Sequence, residues 1–198
     1  MADGGIHAAD PIHVLRRGVA DLHDRVDRLS GFGAPSISSD AYRSLVAALA
    51  SVVPAVEAAV IGSDDALVAD VPPFAPLLLD DARRLGITPQ PWAVTLDDAA
   101  QRWGARYVLA GSQLGAVVIA RRLRDELPEL PRAYFTAAAT GAGERWAAFR
   151  SDARVAFADD ELDVSAAVDA ARDVFERLLA VLERSVCDPS TVGAGGGR

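Results

Sequence analysis

Three histidines, one cysteine and a pair of glycines bound the chemistry this chain can do. Gly111 and Gly115 sit in the stretch RYVLAGSQLGAVVIARRL, which is apolar from Tyr107 to Ala120 except for Gly111, Ser112, Gln113 and Gly115. Residues four apart share a helical face, so the pair leaves a strip of bare backbone there. Each glycine costs about 1 kcal/mol of helix stability relative to alanine, which a helix tolerates where something must come close to its backbone. A second helix fits that description, and so does a flat ligand. A membrane does not, because the run falls short of the ~20 residues of a span and carries two polar side chains.

His7 lies in a loose arm, His13 at the first turn of a helix, and His23 deeper in that helix beside apolar positions. No Glu-x-x-His pair occurs, which argues against a carboxylate-bridged di-iron site. No two histidines are four apart, which argues against a helix-borne zinc pair. A single histidine is either a packed or half-exposed side chain or the one protein ligand of a heme, whose other ligands come from the macrocycle. Cys187 alone allows no internal disulfide and no cysteine metal cluster. Its place before the Asp-Pro of the tail makes it a bystander rather than a nucleophile.

The elements that must position these residues are helices. The chain of 198 residues is 51% hydrophobic and 24% charged, with 6% aromatics. That composition suits a globular domain of closely packed helices. A net charge of −8 argues against nucleic acid. No secretory signal is visible, which makes the cytoplasm the expected compartment. Residues 1–11 read as a flexible arm, 12–187 as the helical domain, and 188–198 as a disordered tail. Asp10-Pro11 starts a helix reaching about Leu29, and a second runs from about Asp40 to Ile61, where Pro54 predicts a kink or break. A short helix covers Leu77–Leu85. The glycine stretch follows a start at Thr95 or Asp97, a segment over 132–157 breaks at Thr140–Gly143, and the last helix covers about Val164–Val186. With no strand alternation and no repeat, the spacing predicts an all-α, single-domain bundle of roughly six to eight helices.

Three blocks, in order, carry a family resemblance. LRRGVADLHDRVDRL resembles the proximal helix of heme oxygenases, YVLAGSQLGAVVIARRL the distal helix of their bacterial, bacteriophytochrome-associated branch, and AYFTAAATGAGERWAAF the block that follows in that branch. The resemblance covers roughly residues 12–182. It implies a heme b, both substrate and cofactor, lying between the two helices with His23 as iron ligand. Gly111 and Gly115 would admit the porphyrin face to the distal backbone, Ser112 would stand in the distal pocket, and Arg16, Arg150 and the neighbouring Arg145 would face the propionates.

The implied activity is the opening of heme to biliverdin, carbon monoxide and ferrous iron. It needs dioxygen and electrons from a donor such as a ferredoxin or a reductase, with a bacteriophytochrome as acceptor of the biliverdin. Three positions depart from the branch: Ala110 stands where glutamate is usual, Ala116 where glycine is common, and Ser112 where animal enzymes carry an aspartate. A heme-binding or carrier protein on the same fold is therefore the alternative. A thiaminase-type hydrolase of similar shape needs a buried cysteine nucleophile, for which Cys187 is badly placed.

Overall fold

Asp10 accepts a hydrogen bond from the Ile12 amide at 3.1 Å, and Pro11 fills the first turn behind it, so the chain turns helical where the sequence places the start. The structure, a computed structural model, describes residues 10–159 and 161–187. The tail at 188–198, most of the N-terminal arm and His7 lie outside the described residues. Within them the chain forms α1 (Pro11–Gly18), α2 (Ala20–Ser30), α3 (Ser39–Ile61), α4 (Ala66–Ala69), α5 (Ala75–Arg84), α6 (Ala99–Glu126), α7 (Ala133–Ala139), α8 (Ala142–Ala156) and α9 (Val164–Cys187), with no strand.

The helical class expected from the sequence is the one observed, with three local differences. The segment read as one helix to Leu29 is broken at Val19 (φ −115°, ψ 4°), and a single helical turn, α4, rises from the connection after α3, its first amides capped by Asp65. Pro54 neither ends nor divides α3. Starts follow side-chain caps: Ser38 accepts from the Ala41 amide at 3.1 Å and Asp98 from the Gln101 amide at 2.8 Å.

α9 is the spine, packing most extensively on α6 and also on α3, α2 and α1. Its contact with α6 is backbone on backbone, because a methyl group at Gly104 would overlap the carbonyl of Ala167. Around that point Trp103, Tyr42, Phe135, Phe149, Leu15 and Leu182 fill one continuous apolar core. α3 is long and apolar enough to cross a membrane, but its side chains from Leu45 to Val60 mostly belong to this core.

Of the helices without a side-chain cap of their own, two borrow one. Buried Glu57 of α3 accepts from the amides of Phe74 (3.2 Å) and Ala75 (2.8 Å) at the start of α5. Buried Asp81 of α5 accepts from the Tyr134 amide at 2.8 Å at the start of α7. Burial raises both carboxyls above their ordinary range against the pull of those amides.

Gly104→Ala should overpack the α6–α9 contact and destabilise the protein by ~1–3 kcal/mol, read as a lower midpoint in a urea melt. The raised pKa of Asp81 means that the folded state holds its proton more tightly than the unfolded chain does. The associated stability is full below the ordinary carboxylate pKa of about 4 and is lost as pH rises through the folded value. Asp81→Asn keeps an acceptor for the Tyr134 amide and removes this loss. The melting temperature of the variant, measured relative to wild type, should therefore climb as pH is raised above about 4; a constant difference across pH would refute the linkage.

Candidate functional site

Gly111, Leu114, Gly115 and Val118 fall on one face of α6 by their spacing. That face is open: Leu114, Gly115, Val117 and Val118 are exposed, Val118 by 62%. A Cβ built on Gly111 or Gly115 meets nothing within 4 Å. Of the two readings of the glycine pair, helix–helix contact is therefore excluded within the fold, and Gly104 carries that role instead. What remains is a strip of bare backbone edged with aliphatic side chains, in the middle of the longest helix, facing open space.

His23 lies in the first turns of α2, with its side chain 59% exposed. Its Nδ1 is 3.2 Å from Asp27 Oδ2, one helical turn on, and the edge of its ring rests against Phe175 of α9 with centroids 5.9 Å apart. A carboxylate near Nδ1 leaves Nε2 as the ring nitrogen open to an outside ligand, an arrangement also found behind metal-binding imidazoles. The imidazole has no other polar partner among the described residues. His13 is exposed on α1, and no cluster of three metal-binding side chains occurs among the described residues.

The relation of α2 to α6 follows from the two ends of the pair. Near its start, the charge of Arg16 reaches the Tyr107 hydroxyl and opposes the upward shift that burial gives that phenol. At the far end, Arg122 donates to the carbonyls of Phe32 and of Ala34 (3.1 Å), and Glu126 accepts from the Ile37 amide at 2.7 Å. The loop after α2 is thus tied to the last turns of α6, with the charge of Arg16 in electrostatic reach of Tyr107 nearer the start of that helix. Extensive packing between α2 and α6 is absent among the described residues; both rest on α9 instead.

Aromatic side chains close the Tyr107 end, where its ring packs on Trp146 (5.8 Å) and Phe149 (6.1 Å) of α8. Arg150, one turn after Trp146, is half-buried, and its Nε is buried without a hydrogen-bond partner. Arg16 is exposed. Arg145 is engaged by the protein: its Nε donates to Gln113 Oε1 at 2.7 Å and its terminal nitrogens donate to Thr140 O and Ala138 O, which caps the end of α7. Its charge also lies 5.2 Å from the Phe74 ring.

Ser112 donates to Leu109 O at 2.8 Å and shares a hydrogen bond with the buried Tyr134 hydroxyl, which lowers a phenol pKa that burial nonetheless pushes up to about 12. Both of its partners lie inside the protein. Sequence reasoning missed three contributors. Asp27 was readable as the residue four after His23, and Gly104 as a further glycine in the same helix. Phe175 belongs to a distant segment and gives no local signal.

An open depression of about 550 Å³ lies elsewhere, lined by Arg84, Pro131, Arg132, Thr136 and Thr140 among others. None of His23, Gly111, Gly115, Arg16 and Arg150 borders it.

The arrangement of helices is that of the heme oxygenases. The fold matches the crystal structures of the NO- and CO-bound heme oxygenase from Neisseria meningitidis with a TM-score of 0.69, over 96% of each chain and at 22% sequence identity. No protein-family model matches the chain, and no curated protein matches it by sequence.

If open space faces the glycines, alanine there gains helix propensity and meets no neighbour. Gly115→Ala should raise the stability of the ligand-free protein by about 1 kcal/mol, or ~2–4 °C in melting temperature. A drop in melting temperature would restore the helix-contact reading.

Proposed function

We propose that this chain binds heme between α2 and α6 and opens it to biliverdin, carbon monoxide and ferrous iron. The observation that supports the reading is the open, bare-backbone apolar face of α6 at Gly111 and Gly115, beside an α2 whose one histidine carries an imidazole with a carboxylate near Nδ1. Heme, when bound, supplies both the iron that activates dioxygen and the ring that is oxidised. His23 would hold the iron through Nε2, with Asp27 fixing the imidazole. The backbone at Gly111 and Gly115 would lie against the porphyrin, where no Cβ intervenes, and Leu114 and Val118 would cover its edges. Arg16 and Arg150 would take the propionates: one is exposed near Tyr107 and the other has a buried donor without a partner. Arg145, already holding three acceptors, serves that role less well.

In this reading heme b is the ligand, a ferredoxin or a reductase in the cytoplasm supplies electrons, and a bacteriophytochrome takes up the biliverdin, as the sequence resemblance implies. One observation favours a heme carrier instead. From Val108 to Ala120 the helix carries no ionisable side chain, and the hydroxyl of Ser112 is occupied within the protein.

A hemin titration followed by ascorbate separates the readings. Wild type should develop a Soret band and then turn over to biliverdin, whereas a carrier would keep its band. His23→Ala should abolish the native ferric spectrum, while His13→Ala leaves it intact; an unchanged Soret band in His23→Ala would sink the assignment. Arg16→Ala and Arg150→Ala should each weaken hemin binding by about ten- to a hundredfold, the equivalent of ~1–3 kcal/mol for a charge-assisted hydrogen bond.

A further inference from the structure

The break at Val19 lies two residues before Asp21 and four before His23, and a single face of α9 is wrapped around it. Val168, Arg172 and Phe175 follow one another at helical spacing on that face. Val168 presses on Gly18, where an added Cβ would come 2.5 Å from its Cγ1. Arg172 donates through Nη1 to Gly18 O at 2.5 Å and to Asp21 Oδ1 at 2.9 Å, and through Nη2 to Asp21 Oδ2 at 3.3 Å. Phe175 meets the imidazole of His23 edge-on. Further along α9, Glu183 accepts from Arg25 at 2.5 Å.

Gly18 is the last residue of α1, and the carbonyls of a helix's last turn are the ones that need donors from outside. Asp21 lies in the first turn of α2. One planar guanidinium therefore grips the end of one helix and the beginning of the next, and its rigid fork can satisfy a carboxylate with two parallel bonds. The His23 amide donates to Val19 O at 2.9 Å across the same break. The direction in which α2 leaves the break decides where the imidazole points, and Arg172 is the side chain bonded to both sides of it.

We infer that Arg172 is a positioning residue for His23: held by Gly18 O and the Asp21 carboxylate, it fixes the angle of α2 and with it the aim of the imidazole towards the α6 face. This rests on heme as the ligand of His23, and the experiment separates the two claims. The hemin-loaded protein is reduced, and the iron–imidazole stretching band is recorded by resonance Raman for wild type, Arg172→Gln, Arg172→Lys and Asp21→Asn. In parallel, exchange of the His23 amide is followed by NMR in the heme-free proteins.

Arg172→Gln should keep its Soret band but show a shifted or broadened iron–imidazole band, with several-fold faster exchange at the His23 amide. Its heme-free melting temperature should fall by no more than about 4 °C, as expected for a partly exposed ion pair. Arg172→Lys, which keeps a donor for Gly18 O but loses the fork, should fall between. Should Arg172→Gln fail to fold, Asp21→Asn, which leaves the Gly18 bond in place, must move the band in the same way. A band and an amide exchange rate equal to wild type in the folded variants would overturn the inference. Absence of the band from wild type, or its survival in His23→Ala, would instead overturn the heme reading.

Discussion

The contact that the remaining structure depends on is the approach of two backbones at Gly104 and Ala167. It brings α6 and α9 closer than side chains would allow, and α9 then serves as the common support for α6 on one side and for α1 and α2 on the other. Because the α1–α2 arm leans on α9 rather than on α6, the middle of α6 is left uncovered. The loop after α2 is nonetheless held against the far end of α6 by the grip of Arg122 and Glu126, with the charge of Arg16 in electrostatic reach of Tyr107. An open face of this kind arises where two helices share a support without covering each other.

Buried Arg106 shows how firmly the α6 end is anchored. It donates to the carbonyls of Leu67 and Asp70 and to Asp152 (3.4 Å), with its charge 5.0 Å from the Trp103 ring and 5.5 Å from that of Phe149. Burial pulls the guanidinium pKa down, opposed by Asp152, yet five donors in a fixed plane keep it paired. One side chain thereby joins α4, α6 and α8 where the aromatic wall begins. A rigid wall at that end leaves the glycine strip, further along the same helix, as the place where α6 faces space.

Most of the fold was legible because its signals are local. Asp10-Pro11, Ser38 and the Pro/Gly clusters mark the helix ends, and apolar spacing marks the buried faces. The break at Val19 was not legible, because it comes from Val168 and Arg172, some 150 residues away in the chain, acting on a segment that is periodic throughout. Nor were the borrowed caps at α5 and α7, since Glu57 and Asp81 lie in other helices. The glycines were legible only in part. Gly104, Gly111 and Gly115 give the same message in the sequence, that something comes close, and only packing says that a helix meets the first while the other two face open space.

The distribution of charge explains what such a face can take. Between Val108 and Ala120 there is no ionisable group on α6, while Arg16, Arg150 and Arg121 stand towards its ends. An ion bound at the middle would be desolvated without a partner, whereas a flat apolar body with anionic edges leaves its charges where guanidinium groups can meet them. The same distribution bears on turnover. The side-chain hydroxyl nearest the glycines, that of Ser112, is turned to Leu109 O and Tyr134, and Gln113 is held by Arg145. Were heme the ligand, protons over this face would have to come from water reaching the exposed strip, since the helix offers no acid there. Whether such a face supports turnover or only holds a ligand then rests on how closely Leu114, Val117 and Val118, all exposed on that helix, let water approach.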